Sequence, residues 1–190
     1  MSSETVRILG IAGSLRRQSY NRSALQAAVE LAPAGVDMTT FELDGIPGFN
    51  QDDEKQPPQK VVELKQAIRA ADALLIVTPE YNYSVPGVLK NAIDWASRPY
   101  GDSAFAGKVA AIMGASIGGI ATARAQYHLR QCFVFLDVPV VNQPEVMIGH
   151  AADRFDAEGR LTDEKTREFI GKLLANLVKL ARLHRGAEKG

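Results

Sequence analysis

The chain of 190 residues contains a single cysteine, Cys132, and therefore cannot form an internal disulfide. One thiol is compatible with a reducing compartment, and its apolar neighbours predict a buried, inert sulfur. The three histidines have no cysteine or carboxylate at the spacing of a metal site, so no bound metal is expected. No apolar run is long enough to cross a bilayer, and the polar residues 1–4 do not resemble the start of a signal peptide. These absences predict a cytoplasmic protein.

The sequence has no excess of charge, because 22 lysine and arginine residues balance 22 aspartate and glutamate residues. Proteins that bind nucleic acid or a membrane surface normally carry a basic excess. A small electron carrier that docks on basic partners would instead be acidic. The neutral balance therefore predicts neither nucleic acid nor membrane as a partner, and it disfavours a carrier.

What the chain does contain is apolar runs of strand length that alternate with segments of helical spacing. The strands are predicted at residues 6–12, 36–43, 73–77, 109–113 and 139–141, with a resumption near Val146 left open. Helices are predicted near residues 24–32, 61–71, 88–95 and 121–135, and from a cap at Thr162 to about residue 178. This alternation predicts a parallel sheet with helices on both faces, in one domain that spans residues 1–190.

A polar loop, residues 13–22, joins the first strand to the first helix. It offers two hydroxyls, one amide and three guanidinium groups, from Ser14, Ser19, Asn21, Arg16, Arg17 and Arg22. Unpaired backbone N–H groups and the helix dipole favour an anion there, so the loop predicts a phosphate site. The glycine pattern of dinucleotide and Walker loops is absent, which leaves a mononucleotide. The alternative is a helix cap with solvated arginines.

Two further polar loops follow the third and fourth strands. Residues 78–87 contain two prolines and two tyrosines, and such a stiff loop with flat apolar surface suits a planar heterocycle. The alternative is a tight turn whose tyrosines pack on the core. Residues 114–119 contain glycines that let a ligand approach the backbone, or that simply turn the chain into the next helix. All three loops lie at the C-terminal edge of the sheet, where open α/β sheets bind ligands.

Two motifs resemble signatures of the NADPH-dependent FMN reductase family, and in particular of its bacterial quinone, azo-dye and chromate reductases. They are Gly13-Ser14-Leu15-Arg16…Ser19-Tyr20-Asn21 and Pro79-Glu80-Tyr81-Asn82-Tyr83-Ser84-Val85-Pro86-Gly87…Lys90-Asn91-Ala92-Ile93-Asp94-Trp95. The likeness continues through residues 126–131 and 134–137 and covers nearly the whole chain.

The resemblance implies a flavodoxin-like three-layer α/β sandwich whose five-stranded parallel sheet has the order 2-1-3-4-5. It also implies non-covalent FMN as cofactor and NAD(P)H as co-substrate. The matching positions would bind FMN: Ser14, Arg16, Ser19, Tyr20 and Asn21 its phosphate, Pro79, Glu80, Tyr81, Asn82 and Tyr83 its isoalloxazine, and Ser116 and Gly118 the far side of the ring. No catalytic side chain is expected, because the cofactor carries the chemistry. For Glu80 a structural or flavin-edge role is favoured over that of a general acid.

The resulting hypothesis is an NAD(P)H-dependent FMN oxidoreductase that reduces quinones, azo compounds, free flavin or chromate-like oxyanions. One alternative is a flavodoxin-type electron carrier that does not itself oxidise a nicotinamide, and another is a nucleotide-binding module without flavin. The expected partner is a small-molecule electron acceptor. The resemblance further implies a homodimer or homotetramer, in which Arg124, Tyr127 and Glu145 resemble an inter-subunit polar network.

Overall fold

A computed structural model describes residues 5–188 of the chain. Five strands form one parallel sheet in the order β2-β1-β3-β4-β5, which confirms the flavodoxin-like order. The strands are β1 (Val6–Ala12), β2 (Val36–Phe41), β3 (Ala73–Val77), β4 (Val109–Ala115) and β5 (Val146–Ile148).

Helices cover both faces of the sheet and enclose two apolar cores. They are α1 (Tyr20–Glu30), α2 (Gln59–Ala70), α3 (Gly87–Ala96), α4 (Ala123–Phe135) and α5 (Glu164–Glu188). Alternate residues of β3 enter opposite cores, with Leu75 on the side of α1 and α5 and Leu74 on the side of α2, α3 and α4. A central parallel strand buried on both faces explains why this segment is continuously apolar.

The register of the central strands brings three loops together at one edge. Ala12 pairs with Val77, and Val77 pairs with Met113, so β1 and β3 end at the same level and β4 extends two residues further, to Ala115. Gly114 permits the close approach of the loop that follows β3, because a Cβ at this position would lie 2.1 Å from the carbonyl oxygen of Thr78. The ends of these strands therefore form the base of a common site.

The fifth strand lies later in the chain than the sequence predicted. Residues 139–141 form only a single parallel bridge, in which Val140 pairs with Ala110. The strand itself is Val146–Ile148, which pairs with the end of β4. The prolines at 139 and 144 have no N–H to donate, so a continuous ladder through this segment is not available.

The start of α5 also differs from the prediction, because Asp163 and not Thr162 caps the helix. The carboxylate oxygen Oδ2 of Asp163 accepts a hydrogen bond from the backbone N–H of Thr166 at 2.9 Å. Thr162 instead donates its hydroxyl to the carbonyl oxygen of Arg154 at 3.1 Å. A carboxylate at this position also interacts favourably with the helix dipole.

At the opposite edge of the sheet, Asp72 joins β1 to the last helix. Its carboxylate accepts a hydrogen bond from the backbone N–H of Arg7 at 2.7 Å and contacts the guanidinium groups of Arg7 and Arg185. Burial disfavours the ionised carboxylate, but the hydrogen bonds from Arg185 and Arg7 outweigh it and lower the pKa of Asp72 to about 2.

Replacement of Asp72 by Asn should therefore destabilise the protein in a pH-dependent way. A lowered folded-state pKa contributes stability above the unfolded-state pKa, and this contribution is lost as the pH falls toward the folded-state value. At pH 7 we expect the free energy of unfolding to fall by about 1–2 kcal/mol after solvent screening is allowed for. Urea unfolding should show that the difference in the free energy of unfolding between wild type and variant becomes smaller below about pH 4. Asp37→Asn, at an exposed position of β2, is the matched control, and its free energy of unfolding should equal that of the wild type.

Candidate cofactor-binding site

The loop between β1 and α1, residues 13–19, packs directly against the loop that follows β3. The backbone N–H of Gly13 donates to the carbonyl oxygen of Val77 at 2.8 Å. A Cβ on Gly13 would lie 3.1–3.3 Å from carbon atoms of Leu89 and Pro86, so the contact is close enough to favour glycine. These two loops, both expected at the C-terminal edge of the sheet, are therefore in contact.

Ser19 and Asn21 shape the start of α1. The Ser19 hydroxyl accepts from the backbone N–H of Asn21 at 3.2 Å and caps the helix. The buried Asn21 side chain reaches β4, where Nδ2 donates to the Ala115 carbonyl oxygen at 2.9 Å and Oδ1 accepts from the Ala115 N–H at 2.8 Å. Asn21 thus ties the first loop to the third, a role that its sequence position did not reveal.

The charged residues of the first loop face outward. Arg16 is exposed, and its guanidinium carbon lies 5.7 Å from the centre of the Tyr20 ring. Arg22 is not available to an anion in the same way, because it forms an ion pair with Glu42. Ser14 is buried within the loop. The loop therefore combines buried hydroxyls with an exposed cationic rim.

The loop after β3 contains a tight two-residue turn. Tyr81 and Ser84 exchange two backbone hydrogen bonds, of 3.2 and 3.0 Å, around Asn82 and Tyr83. The two central residues have positive φ angles of 50° and 64°, as in a type I′ hairpin turn. The turn directs both tyrosines to solvent, with 54% of Tyr81 and 66% of Tyr83 exposed. The alternative in which these tyrosines pack on the core is therefore wrong.

Glu80 links this turn to the start of α4. Its Oε2 accepts from the backbone N–H of Ala125 at 3.0 Å, and its Oε1 lies 3.2 Å from Nη1 of Arg124. The Arg124 guanidinium in turn lies over the Tyr83 ring, 3.9 Å from its centre. Both oxygens of Glu80 are engaged in structural contacts, which agrees with a structural role rather than with that of a general acid.

The third loop is anchored to the edge strand. The backbone N–H of Ser116 donates to the carbonyl oxygen of Ile148 at 2.9 Å, and its hydroxyl accepts from the N–H of Gly118 at 3.2 Å. Ile117 lies between them with 71% of its surface exposed. The hydrogen bonds fix the backbone of the loop and leave an apolar side chain at the mouth of the site.

Together the three loops enclose a cavity of about 280 Å³. Its wall consists of Arg16, Ser19, Tyr20, Asn21, Pro79, Glu80, Tyr81, Ala115, Ser116 and Ile117. The first loop contributes the Arg16 cation and the Ser19 hydroxyl to this wall. The second and third loops contribute most of the apolar and aromatic surface, from Pro79, Tyr81, Ala115 and Ile117. The sequence analysis did not predict Ala115 and Ile117 as site residues. Their positions on either side of Ser116 were the one indication in the sequence. Ser14, Asn82, Tyr83 and Gly118 belong to the same loops but lie off this wall.

Other kinds of site find no support among residues 5–188. That part of the chain contains no group of three or more His, Cys, Asp or Glu side chains arranged to hold a metal ion. It also contains no helix that is long and apolar enough to cross a membrane. Cys132 is half-buried and not fully buried as predicted, because its neighbours Val134 and Phe135 lie on an exposed face of α4. Partial burial still raises the pKa of its thiol.

The family model described as NADPH-dependent FMN reductase matches residues 6–153. The chain belongs to this family. It is 55% identical over 185 residues to an NAD(P)H-dependent FMN reductase of Pseudomonas aeruginosa, covering 97% of this chain and 100% of that protein. It is also 47% identical over 165 residues to a 2-hydroxy-1,4-benzoquinone reductase of a Burkholderia species, covering 87% and 90% of the two chains.

A solved structure gives the same assignment. The flavoenzyme FerB of Paracoccus denitrificans, an NAD(P)H:(acceptor) oxidoreductase, superposes with a TM-score of 0.87 at 36% identity, covering 95% of this chain and 99% of that one. Membership of the family confirms three predictions, namely an oxidoreductase, FMN as cofactor and NAD(P)H as co-substrate. It also confirms the resemblance on which they were based.

The contact between Asn21 and Ala115 can be tested by Asn21→Leu. This substitution keeps a branched side chain of similar size but leaves the N–H and C=O of the buried Ala115 without partners. The free energy of unfolding should fall by about 2–4 kcal/mol, as expected for two unsatisfied buried groups. Urea unfolding of the FMN-free protein measures it.

Asn176→Leu is the matched control, because the exposed Asn176 makes one side-chain hydrogen bond, to the carbonyl oxygen of Gln143. We expect this variant to lose less than about 1 kcal/mol. Equal losses in the two variants would contradict the role given to Asn21.

Proposed function

We propose that the 280 Å³ cavity is the FMN site, with the phosphate at the Arg16 end and the isoalloxazine between the second and third loops. The observation that carries this proposal is the convergence of the three loops on one cavity, to which the first loop contributes a cation and a hydroxyl and the other two loops most of the apolar and aromatic surface. The phosphate would be bound by Ser14, Arg16, Ser19, Tyr20 and Asn21. The ring would lie against Pro79, Glu80, Tyr81, Asn82 and Tyr83, with Ser116 and Gly118 on the far side.

When bound, FMN supplies hydride and electron transfer, so the protein itself needs only to bind, orient and shield. Buried hydroxyls of the first loop and backbone N–H groups at the start of α1 suit a dianionic phosphate. The stiff turn at Tyr81–Ser84 fixes the backbone that faces the ring edge. Tyr81 and Ile117 line the cavity and are largely exposed, so they would place apolar surface at its mouth.

The substrates that we propose are quinones first, and then azo compounds, free flavin and chromate-like oxyanions. The relatives' names specify an FMN reductase and a benzoquinone reductase. The exposed rim formed by Tyr81, Tyr83 and Ile117 offers apolar and aromatic surface to a planar acceptor. An open site of this kind discriminates little among acceptors, which favours a broad acceptor range.

Two alternatives are less well supported. An electron carrier would shuttle single electrons between proteins, but the neutral net charge and the reductase names of the relatives favour an enzyme. A nucleotide-binding module without flavin is disfavoured by membership of an FMN reductase family. A cytoplasmic location stays a proposal, and the single cysteine supports it.

Purified protein saturated with FMN should be yellow and should oxidise NADPH or NADH when 1,4-benzoquinone is the only acceptor. The absorbance of the flavin and of the nicotinamide measures both properties. A carrier would bind FMN but would not oxidise a nicotinamide without a separate reductase. Protein that stays colourless after incubation with FMN would exclude the proposal.

We also propose that the protein is a homodimer or homotetramer that buries the outer face of α4. This face carries Tyr127, Val134 and Phe135, and 81% of Val134 and 74% of Phe135 are exposed in the single chain. Large apolar side chains clustered on one surface are typical of a protein interface. Within the chain, Tyr127 donates to Glu145 at 2.9 Å and Arg124 pairs with Glu80, so these polar groups are already oriented beside that face.

The double variant Val134→Glu/Phe135→Glu should reduce the assembly to monomers, because burying two carboxylates in an apolar interface is unfavourable. Light scattering coupled to size exclusion measures the mass. Leu183→Glu, which places a carboxylate at an exposed leucine of α5, is the matched control and should leave the mass unchanged. A wild-type protein that is monomeric at micromolar concentration would exclude the proposal.

A further inference from the structure

A second cavity, of about 410 Å³, adjoins the proposed FMN cavity. Arg16 and Tyr20 line both cavities, so the two spaces meet at these residues. One wall of the second cavity is formed by Arg16, Arg17 and Gln18, and the opposite wall by residues 156–159. The proposed FMN site makes no use of Arg17 or of this space.

The opposite wall is a preformed turn. A bridge between Phe155 and Leu161 closes it. The backbone N–H of Asp156 donates to the carbonyl oxygen of Arg160 at 3.0 Å, and the Asp156 carboxylate accepts from the backbone N–H of Arg160. Gly159, with a φ of 80°, lies close to the Ser23 hydroxyl of α1, so the turn is seated against the helix. The wall formed by residues 156–159 is therefore held by backbone contacts, and the facing wall carries the exposed side chains of residues 16–18.

Among the described residues, the acidic groups of one wall have ion-pair partners, whereas the basic groups of the other wall do not. Asp156 accepts hydrogen bonds from both the backbone N–H and Nε of Arg160 at 2.7 Å, and Glu158 pairs with the same guanidinium at 3.2 Å. The hydrogen bonds from Arg160 hold the pKa of Asp156 below its usual value. Within residues 5–188, by contrast, neither Arg16 nor Arg17 forms an ion pair. The basic wall is thus left to attract an anion from solution.

The reaction limits which ligand can use this cavity together with the flavin site. An electron acceptor needs only to reach the flavin ring, so its binding does not require the space beyond residues 13–19. NADPH must place its nicotinamide at the ring, and besides its diphosphate bridge it carries a 2′-phosphate at the far, adenosine end. NADH is the same molecule without that phosphate, so a cation at this position would favour the binding of NADPH over that of NADH.

We propose that the second cavity binds the adenosine 2′-phosphate of NADPH and that Arg17 is the residue that selects NADPH over NADH. The inference rests on the proposed function, because it requires a nicotinamide to reach the flavin. Arg17 donates to the 2′-phosphate in a charge-assisted contact, while Arg16 stands between the two phosphate positions. The exposed position of Arg17 makes the contact sensitive to salt.

The kinetic test compares kcat/KM for NADPH and NADH on FMN-saturated protein with saturating 1,4-benzoquinone. Arg17→Ala is expected to lower the NADPH-to-NADH ratio of these constants by about tenfold, and Arg17→Lys by less, because it keeps the charge. In the wild type the same ratio should fall as ionic strength rises. Arg182→Ala, at an exposed arginine of α5, is the matched control and should keep the wild-type ratio.

A binding test needs no turnover. Calorimetry on FMN-saturated protein should show that adenosine 2′,5′-bisphosphate binds more tightly than 5′-AMP and that Arg17→Ala removes the difference. The dissociation constant of FMN, followed by flavin fluorescence, should change less than about twofold in Arg17→Ala, whereas Arg16→Ala should raise it by about ten- to a hundredfold.

Three results would overturn the inference while leaving the proposed function intact. The first is an equal loss of kcat/KM with both nicotinamides in Arg17→Ala. The second is a loss of FMN affinity as large as that of Arg16→Ala, which would assign Arg17 to the flavin phosphate. The third is weaker binding of FAD with an unchanged NADPH-to-NADH ratio, which would assign the cavity to the adenylate of that flavin. Failure of both nicotinamides to reduce wild-type protein would overturn inference and proposed function together.

Discussion

The pair of hydrogen bonds between the Asn21 amide and the backbone of Ala115 is the interaction on which the site depends. It joins the start of α1 to the end of β4 across the top of β3. The strands of a parallel sheet bring their following loops to one edge, but strand pairing alone does not hold those loops at a fixed distance from one another. A separate contact between the loops is needed. Asn21 provides it with a buried amide whose donor and acceptor are both used. The width of the cavity between the first and third loops is thereby set.

A second set of contacts connects the Tyr81–Ser84 turn with α4. Glu80 caps that helix and holds Arg124, and Arg124 lies over Tyr83 in the turn. The same helix carries the exposed Tyr127, Val134 and Phe135. A second copy seated on this face would therefore contact residues that also position the cavity wall. Such an arrangement provides a physical reason for assembly and cofactor binding to depend on each other.

Charge is neutral over the whole chain but uneven around the site. In the loop between β1 and α1, Arg16 and Arg17 form no ion pairs among the described residues, whereas Arg22 is paired with Glu42 and Arg160 with Asp156. Neighbouring arginines thus have different surroundings although the sequence presents them alike. Net charge describes solubility and nonspecific partners, and local pairing decides which cation can hold a ligand.

Sequence alone determined the parallel sheet, its helical layers and the three loops, because burial on both faces imposes continuous apolar runs and strand ends demand polar loops. It also identified most of the cavity wall, through motifs whose residues are close in the chain. Tertiary structure decided the rest. The position of β5, the Asp163 cap, the link from Asn21 to Ala115 and the cavity beside Arg17 depend on which partner is nearest in space. Asn21 and Ala115 are 94 positions apart, and only packing brings such groups together.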